Sequence, residues 1–109
     1  MLFLEQGEGF RMLVEKRIVI KNKSGLHARP ASLFVQIANK YESDISVKKG
    51  KQKVNGKSIM GIMMLAAEKG SKIVIMAEGD DAKEAVHELE GLLLNEDIED
   101  INGKKAKKV

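Results

Sequence analysis

The sequence contains no cysteine and no tryptophan, a single proline and a single tyrosine, and only two histidines in 109 residues. Without cysteine there can be no disulfide, no thiolate metal site and no thiol nucleophile, which fits a protein of the reducing cytoplasm. The histidines, His27 and His87, lie too far apart in sequence to form a metal-ligand cluster of familiar spacing. Long hydrophobic runs are also missing: none approaches the ~20 apolar residues of a membrane span. The opening MLFLEQGEGFR has no basic leader and only a short apolar run, so no signal peptide is expected. Charge is nearly balanced, 19 basic against 16 acidic residues, and that excess is too small to imply nucleic acid unaided. Aromatics are only 4%. The lysine-rich stretch of Lys48, Lys49, Lys51, Lys53 and Lys57 therefore lacks the stacking platforms of a single-strand binder. It reads as a solvated hairpin that helps to steer acidic partners.

What is present is the alternating pattern of one small domain. Residues 13–20, LVEKRIVI, are β-branched and apolar enough for a strand, and KNKSG breaks them. From Ala28 the apolar positions Ala31, Phe34, Val35 and Ala38 form one helical stripe. DISVKKGKQKVNGK predicts a hairpin turning near Lys49-Gly50. A short helix then starts at Ser58 and ends near Leu65. SKIVIMAEG predicts a central strand, and a last helix runs from about Ala82 to Asn95. Asp81 and Glu84 have the spacing of a capping box at its start. The resulting order, β-α-β-β-α-β-α, suits helices packed on one face of a mainly antiparallel sheet.

The scarce residues converge on one stretch, GLHARPAS at 25–32. Ser24-Gly25 makes a turn, His27 falls at or just before the first helical residue, and Pro30 is tolerated in the first turn, where N–H groups lack intrahelical partners. That places His27 over free backbone N–H groups at the positive end of a helix, a ready anion site. Arg29 adds a permanent cation with a fork suited to phosphate oxygens. A histidine that accepts a phosphoryl group needs this setting: a lone-pair nitrogen before transfer and cationic donors around the dianion afterwards. An exposed histidine at a helix start is more often a plain surface residue, and Arg29 with Pro30 narrows that alternative without reversing it.

Ser58 precedes the apolar run SIMGIMML and reads as an N-cap. A phosphate there would also be well accommodated. Ile59, Met60, Met63 and Met64 cover too much circumference for a short helix to bury them all. Methionine suits surfaces that meet several partners. Met60 and Met63 are assigned outward to partner binding, Ile62 and Leu65 to the core. His87, in AVHELE, is assigned to solvent.

SGLHARPAS resembles the active-site segment of the HPr family, the histidine phosphocarriers of the bacterial phosphoenolpyruvate-dependent sugar phosphotransferase system. The likeness spans residues 14 to about 95 and takes in VNGKSIMGIMML, KGSKIVIMAEG and the final helix. It implies an α+β open-faced sandwich, four antiparallel strands with three helices on one face. It implies that His27 takes a phosphoryl group on Nδ1 from phospho-enzyme I and hands it to a sugar-specific IIA component, with Arg29 stabilising the phosphate. GKSIMGIM resembles the regulatory serine region of Gram-positive-type members, which implies that an HPr kinase/phosphorylase modifies Ser58. A catabolite-control transcription factor is a further implied partner. By the same likeness the chain is a cytoplasmic carrier and not an enzyme, needs no cofactor or metal, and engages neither nucleic acid nor the membrane interior. The domain is expected over 12–97, with an N-terminal extension over 1–11 and a polar basic tail over 98–109. The alternative is a regulatory module on the same fold that acts through Ser58 without phosphotransfer.

Overall fold

The computed structural model describes residues 11–23 and 25–95; the proposed tail and all of the N-terminal extension except Arg11 lie outside them. The elements are β1 Met12–Val19, α1 Ala28–Ala38, β2 Asp44–Lys49, β3 Gln52–Asn55, α2 Ile59–Met64, β4 Lys72–Gly79 and α3 Ala82–Leu94. The strands form one antiparallel sheet in the order β1-β4-β2-β3. The β4 strand is central, as its apolar run predicts. Its alternate residues Ile73, Ile75 and Ala77 are buried under the helices, while Val74 and Met76 on the other face are half-buried. The β2–β3 hairpin turns through Gly50-Lys51, and Gly50 supplies the positive φ of 60° that the two-residue loop requires.

The core lies between the sheet and the helices. Phe34 and Ala31 of α1 and Leu89 and Leu93 of α3 are fully buried against Ile73, Ile75 and Val47. Ala31 and Phe34 belong to the helical stripe read from the sequence; Ala38 of the same stripe is buried and Val35 half-buried. The α3 helix stops at Leu94, with Asn95 as its C-cap.

One local expectation fails. Asp81 stands at the N-cap of α3 but makes no side-chain cap bond, so the capping box with Glu84 does not form. Its carboxylate instead accepts from the backbone N–H groups of Glu42 (2.9 Å) and Ser43 (3.0 Å) and from the Ser43 hydroxyl. Three donors from the α1–β2 loop outweigh the single bond a cap would supply. Nearby, Lys40 and Tyr41 both donate to Glu88 of α3.

These ties give stability a defined pH dependence. The Ser43 hydroxyl, followed by the Glu42 amide, holds the Asp81 carboxyl below its ordinary range; Lys40, then Tyr41, does the same for Glu88. The Tyr41 phenol is pushed up to about 12, chiefly by its bond to Glu88. A depressed carboxyl stabilises the fold above its unfolded value, and that contribution is lost as pH falls through the folded value. A raised phenol contributes below its ordinary value of about 10 and loses that contribution as pH rises through about 12. Asp81→Asn should therefore be less stable than the parent at neutral pH, with the gap closing in acid below about pH 4. Denaturant midpoints across that range check this; a gap that stays constant into acid would refute it.

Candidate functional site

His27 is the N-cap of α1, exposed, with extended backbone and no side-chain capping bond. Its carbonyl accepts the first helical bond from the Ala31 N–H at 2.8 Å. Pro30, the third helical residue, has no N–H to offer. The free amides of the first turn are thus those of Ala28 and Arg29, and neither has a partner among the described residues. Arg29 is exposed and has no acidic partner among them either. An exposed imidazole, two unpaired amides and an unpaired guanidinium therefore share one helix start. That group of donors suits a dianion on the ring.

The loop that delivers His27 is clamped through Asn22, Gly25 and Leu26, of which the sequence singled out only Gly25, as a turn residue. Buried Asn22 donates from Nδ2 to the Gly25 carbonyl at 2.6 Å, and its own carbonyl accepts from the Gly25 N–H at 3.2 Å. Leu26 is buried, and its N–H donates to the Ala67 carbonyl at 2.8 Å. Gly25 has a φ of 68°, and a Cβ there would fall 2.6 Å from the Ala67 oxygen and 2.7 Å from the Glu68 Cα. Both obstacles are backbone atoms, which cannot rotate away. Gly25→Ala should therefore lose about 2–4 kcal/mol, part from the left-handed conformation and part from overpacking. Denaturant unfolding measures this, and a loss below about 1 kcal/mol, the least that the left-handed conformation alone costs, would contradict the clamp. The break at KNKSG and the turn at Ser24-Gly25 were legible in the sequence, but the bond from Leu26 to Ala67 and the close approach of Gly25 to residues 67 and 68 are long-range.

The α2 helix packs beside α1, and the chain leaving its C-terminus supplies that Ala67 carbonyl. Ser58 is its N-cap, with Oγ accepting from the Gly61 N–H at 3.0 Å. Ile62 and Leu65 are buried. Met60 is 70% exposed and Met63 43%, and the structure adds two more apolar side chains, Ile59 at 40% and Met64 at 64%. Four exposed apolar residues on six helical positions make a patch rather than scattered surface apolars.

Part of the lysine stretch is not simply solvated. Lys49 donates to the Leu65 and Ala66 carbonyls (3.0 and 3.3 Å), and Gln52 donates to Met64 at 3.3 Å. The hairpin thereby caps the exposed carbonyl end of α2. Lys57 donates to the Tyr41 carbonyl at 2.7 Å. Lys48, Lys51 and Lys53 are exposed. His87 is exposed on α3, remote in sequence from the α1 start. A shallow depression of about 460 Å³ along β2 and β3 is lined by Asp44, Ser46, Lys53, Asn55 and Lys57 and does not include His27.

An open-faced sandwich that presents one histidine over the unpaired amides of a helix is the architecture of a single-histidine phosphoryl carrier. The family model described as the PTS HPr component phosphorylation site matches residues 14–95. The chain belongs to the HPr family of phosphocarriers. It is 52% identical over 77 residues to the HPr-like protein Crh of Halalkalibacterium halodurans, covering 71% of this chain and 92% of that one. Against the phosphocarrier protein HPr of Neisseria meningitidis serogroup A it is 46% identical over 81 residues, covering 74% and 91%. The crystal structure of HPr from Bacillus anthracis superposes with a TM-score of 0.73 at 51% identity, covering 74% of this chain and 96% of that one.

Proposed function

We propose that this chain is a general phosphocarrier of a phosphoenolpyruvate-dependent sugar phosphotransferase system. His27 takes a phosphoryl group from phospho-enzyme I and passes it to sugar-specific IIA components. In each step an imidazole lone pair forms one bond to phosphorus while the bond to the donor breaks, and no net water or redox equivalent is involved. The protein is carrier and substrate rather than catalyst, and acts in the cytoplasm. Residues 12–97 are the working domain, with 1–11 and 98–109 as flanking extension and tail. The contact from Arg11 to the Glu78 carbonyl, at 3.0 Å, lies at that boundary.

The reading rests on one observation above the rest: the exposed His27 at the α1 start, with the Ala28 and Arg29 amides and the Arg29 side chain unpartnered among the described residues. Met60 and Met63, joined by Ile59 and Met64, form the surface on which enzyme I and IIA domains dock. Ser58 is the site of regulatory phosphorylation by an HPr kinase/phosphorylase, read in turn by a catabolite-control transcription factor. The test is a two-step transfer: radiolabelled phosphoenolpyruvate with enzyme I loads the protein, and an added IIA domain then unloads it. Protein that loads but never unloads would refute the carrier role.

A second reading has its own support, because relatives at 52% and 46% identity are named HPr-like protein Crh. In that reading the chain acts as a regulator through Ser58 alone. A regulator of that kind has no use for a phosphoryl acceptor with an unpaired arginine beside it, so His27 and Arg29 favour the carrier.

A further inference from the structure

No cysteine occurs in the 109 residues, so the sulfur atoms open to oxidation are the thioethers of six methionines. Half of them, Met60, Met63 and Met64, lie within the six residues of α2. Met60 and Met64 are the most exposed large apolar side chains among the described residues, and Met63 is exposed as well. Of the others, Met12 at the start of β1 is 38% exposed, Met76 of β4 is half-buried, and Met1 lies outside the described residues. Spacings of three and four along a helix make Met60 a surface neighbour of both Met63 and Met64. A lone exposed methionine takes up oxidant without consequence. These three alter one continuous surface together.

The fold does not hang on their sulfur atoms. At one end α2 is held by Ser58, whose Oγ accepts from the Gly61 N–H. Ile62 and Leu65 anchor it in the core. At the other end Lys49 and Gln52 donate to the backbone carbonyls of Leu65, Ala66 and Met64. None of these ties uses a thioether, so each survives a change at the methionine side chains.

We propose that Met60, Met63 and Met64 are an oxidation site, at which a peroxide converts thioethers to sulfoxides and so weakens the docking of enzyme I and IIA domains. The docking consequence rests on α2 being the partner surface of the carrier described above. A sulfur lone pair attacks one peroxide oxygen, and the S–O bond forms as the O–O bond breaks. The leaving hydroxide takes the proton left on the transferred oxygen and becomes water. Sulfur loses two electrons and the peroxide gains them. A flexible apolar side chain thereby acquires a polar S–O acceptor. In the free protein water solvates that oxygen. A partner that covers α2 strips the water away and leaves the acceptor buried and unpaired against apolar groups. Encounter should weaken about tenfold. Methionine sulfoxide reductase, drawing on a dithiol that ends as a disulfide, returns the thioether and releases water, so the change is reversible.

The test treats the full-length protein with hydrogen peroxide and removes the excess with catalase before enzyme I and phosphoenolpyruvate are added. Peptide mass mapping should find sulfoxide at Met60 and Met64 ahead of Met12 and Met76. The oxidised protein should show an apparent KM with enzyme I raised about tenfold, with kcat and Tm little changed, and the reductase with dithiothreitol should reverse this. Each variant is compared with itself before and after peroxide. Met60→Leu/Met63→Leu/Met64→Leu should be insensitive, whereas Met12→Leu/Met76→Leu should respond as the parent does. Protein that carries both sulfoxides yet reacts at its untreated rate overturns the proposal while leaving the carrier intact. Sensitivity that persists in the triple leucine variant overturns it too, as does oxidation of Met12 or Met76 ahead of the α2 methionines. Untreated protein that never takes up phosphate overturns the carrier reading, and the docking consequence with it.

Discussion

His27→Ala protein incubated with phosphoenolpyruvate and enzyme I should take up no phosphate, while His87→Ala should be labelled as fully as the parent. Both histidines are exposed, so accessibility does not distinguish them. Their surroundings do. His27 stands at a helix start with unpaired amides and Arg29, whereas His87 lies within α3, where the backbone N–H groups are spent on the helix. A phosphoryl group on an imidazole nitrogen carries about two negative charges, and only the first position offers donors to receive them. The label should be acid-labile and base-stable, as a P–N bond is, and should reach one phosphate per chain. Arg29→Ala should keep the fold, since its guanidinium has no described partner to lose, and should slow transfer about ten- to a hundredfold. That range lies at or below the cost of removing one donor in an enclosed site, because solvent at this exposed helix start screens part of the charge. Labelling that survives in His27→Ala would end the carrier assignment.

How much of this site could be read before the fold was known depends on the range of each interaction. His27, Arg29, Pro30 and Ser58 were legible because helix starts are local: the cap, the free amides and the dipole belong to the same few residues. Strand and helix order followed from periodicity for the same reason. Asp81 shows where local signals stop. Its spacing to Glu84 reads as a capping box, yet its carboxylate bonds to Ser43, which is 38 positions away. Nothing in the surrounding sequence could announce those donors. Lys49 and Gln52 are similar: a basic hairpin reads as solvated, but folding brings its side chains to the exposed carbonyls of α2, 12 to 17 residues further on. Asn22 was visible only as part of the KNKSG break, and its burial and its two bonds to Gly25 were not. The short α2 fell between these cases. Its circumference argument put Met60 and Met63 outward and Ile62 and Leu65 in the core, which the burial bears out, but it did not assign Ile59 and Met64, which are exposed as well.

Phosphorylation of Ser58 should antagonise transfer through His27 while leaving the protein folded. The Ser58 Oγ accepts from the Gly61 N–H at 3.0 Å, so a phosphoryl group attached there still presents oxygens to that amide. Its charge of about −1.5 to −2 at neutral pH lies at a helix N-terminus, where it is neutral or mildly stabilising by roughly 0.3–1 kcal/mol. The penalty falls on docking. The next two residues are Ile59 and Met60, both exposed, and a partner that covers them must also strip water from the phosphate. Even about 1.4 kcal/mol of that desolvation weakens encounter tenfold. Helix α2 is only six residues long, about 9 Å at ~1.5 Å per residue, and the chain just beyond its far end bonds to Leu26, next to His27. Kinase-treated protein should therefore show a raised apparent KM with enzyme I and little change in Tm. Ser58→Asp, with less charge, should show a smaller effect of the same kind. Ser58→Ala separates the cap from the switch. It loses the bond to Gly61 and about 0.5–2 kcal/mol of stability, a fall of several degrees in Tm for a domain of this size, yet it should accept phosphate on His27 at close to the parent rate. If phosphorylated and unmodified proteins react with enzyme I equally fast, Ser58 is a cap and nothing more.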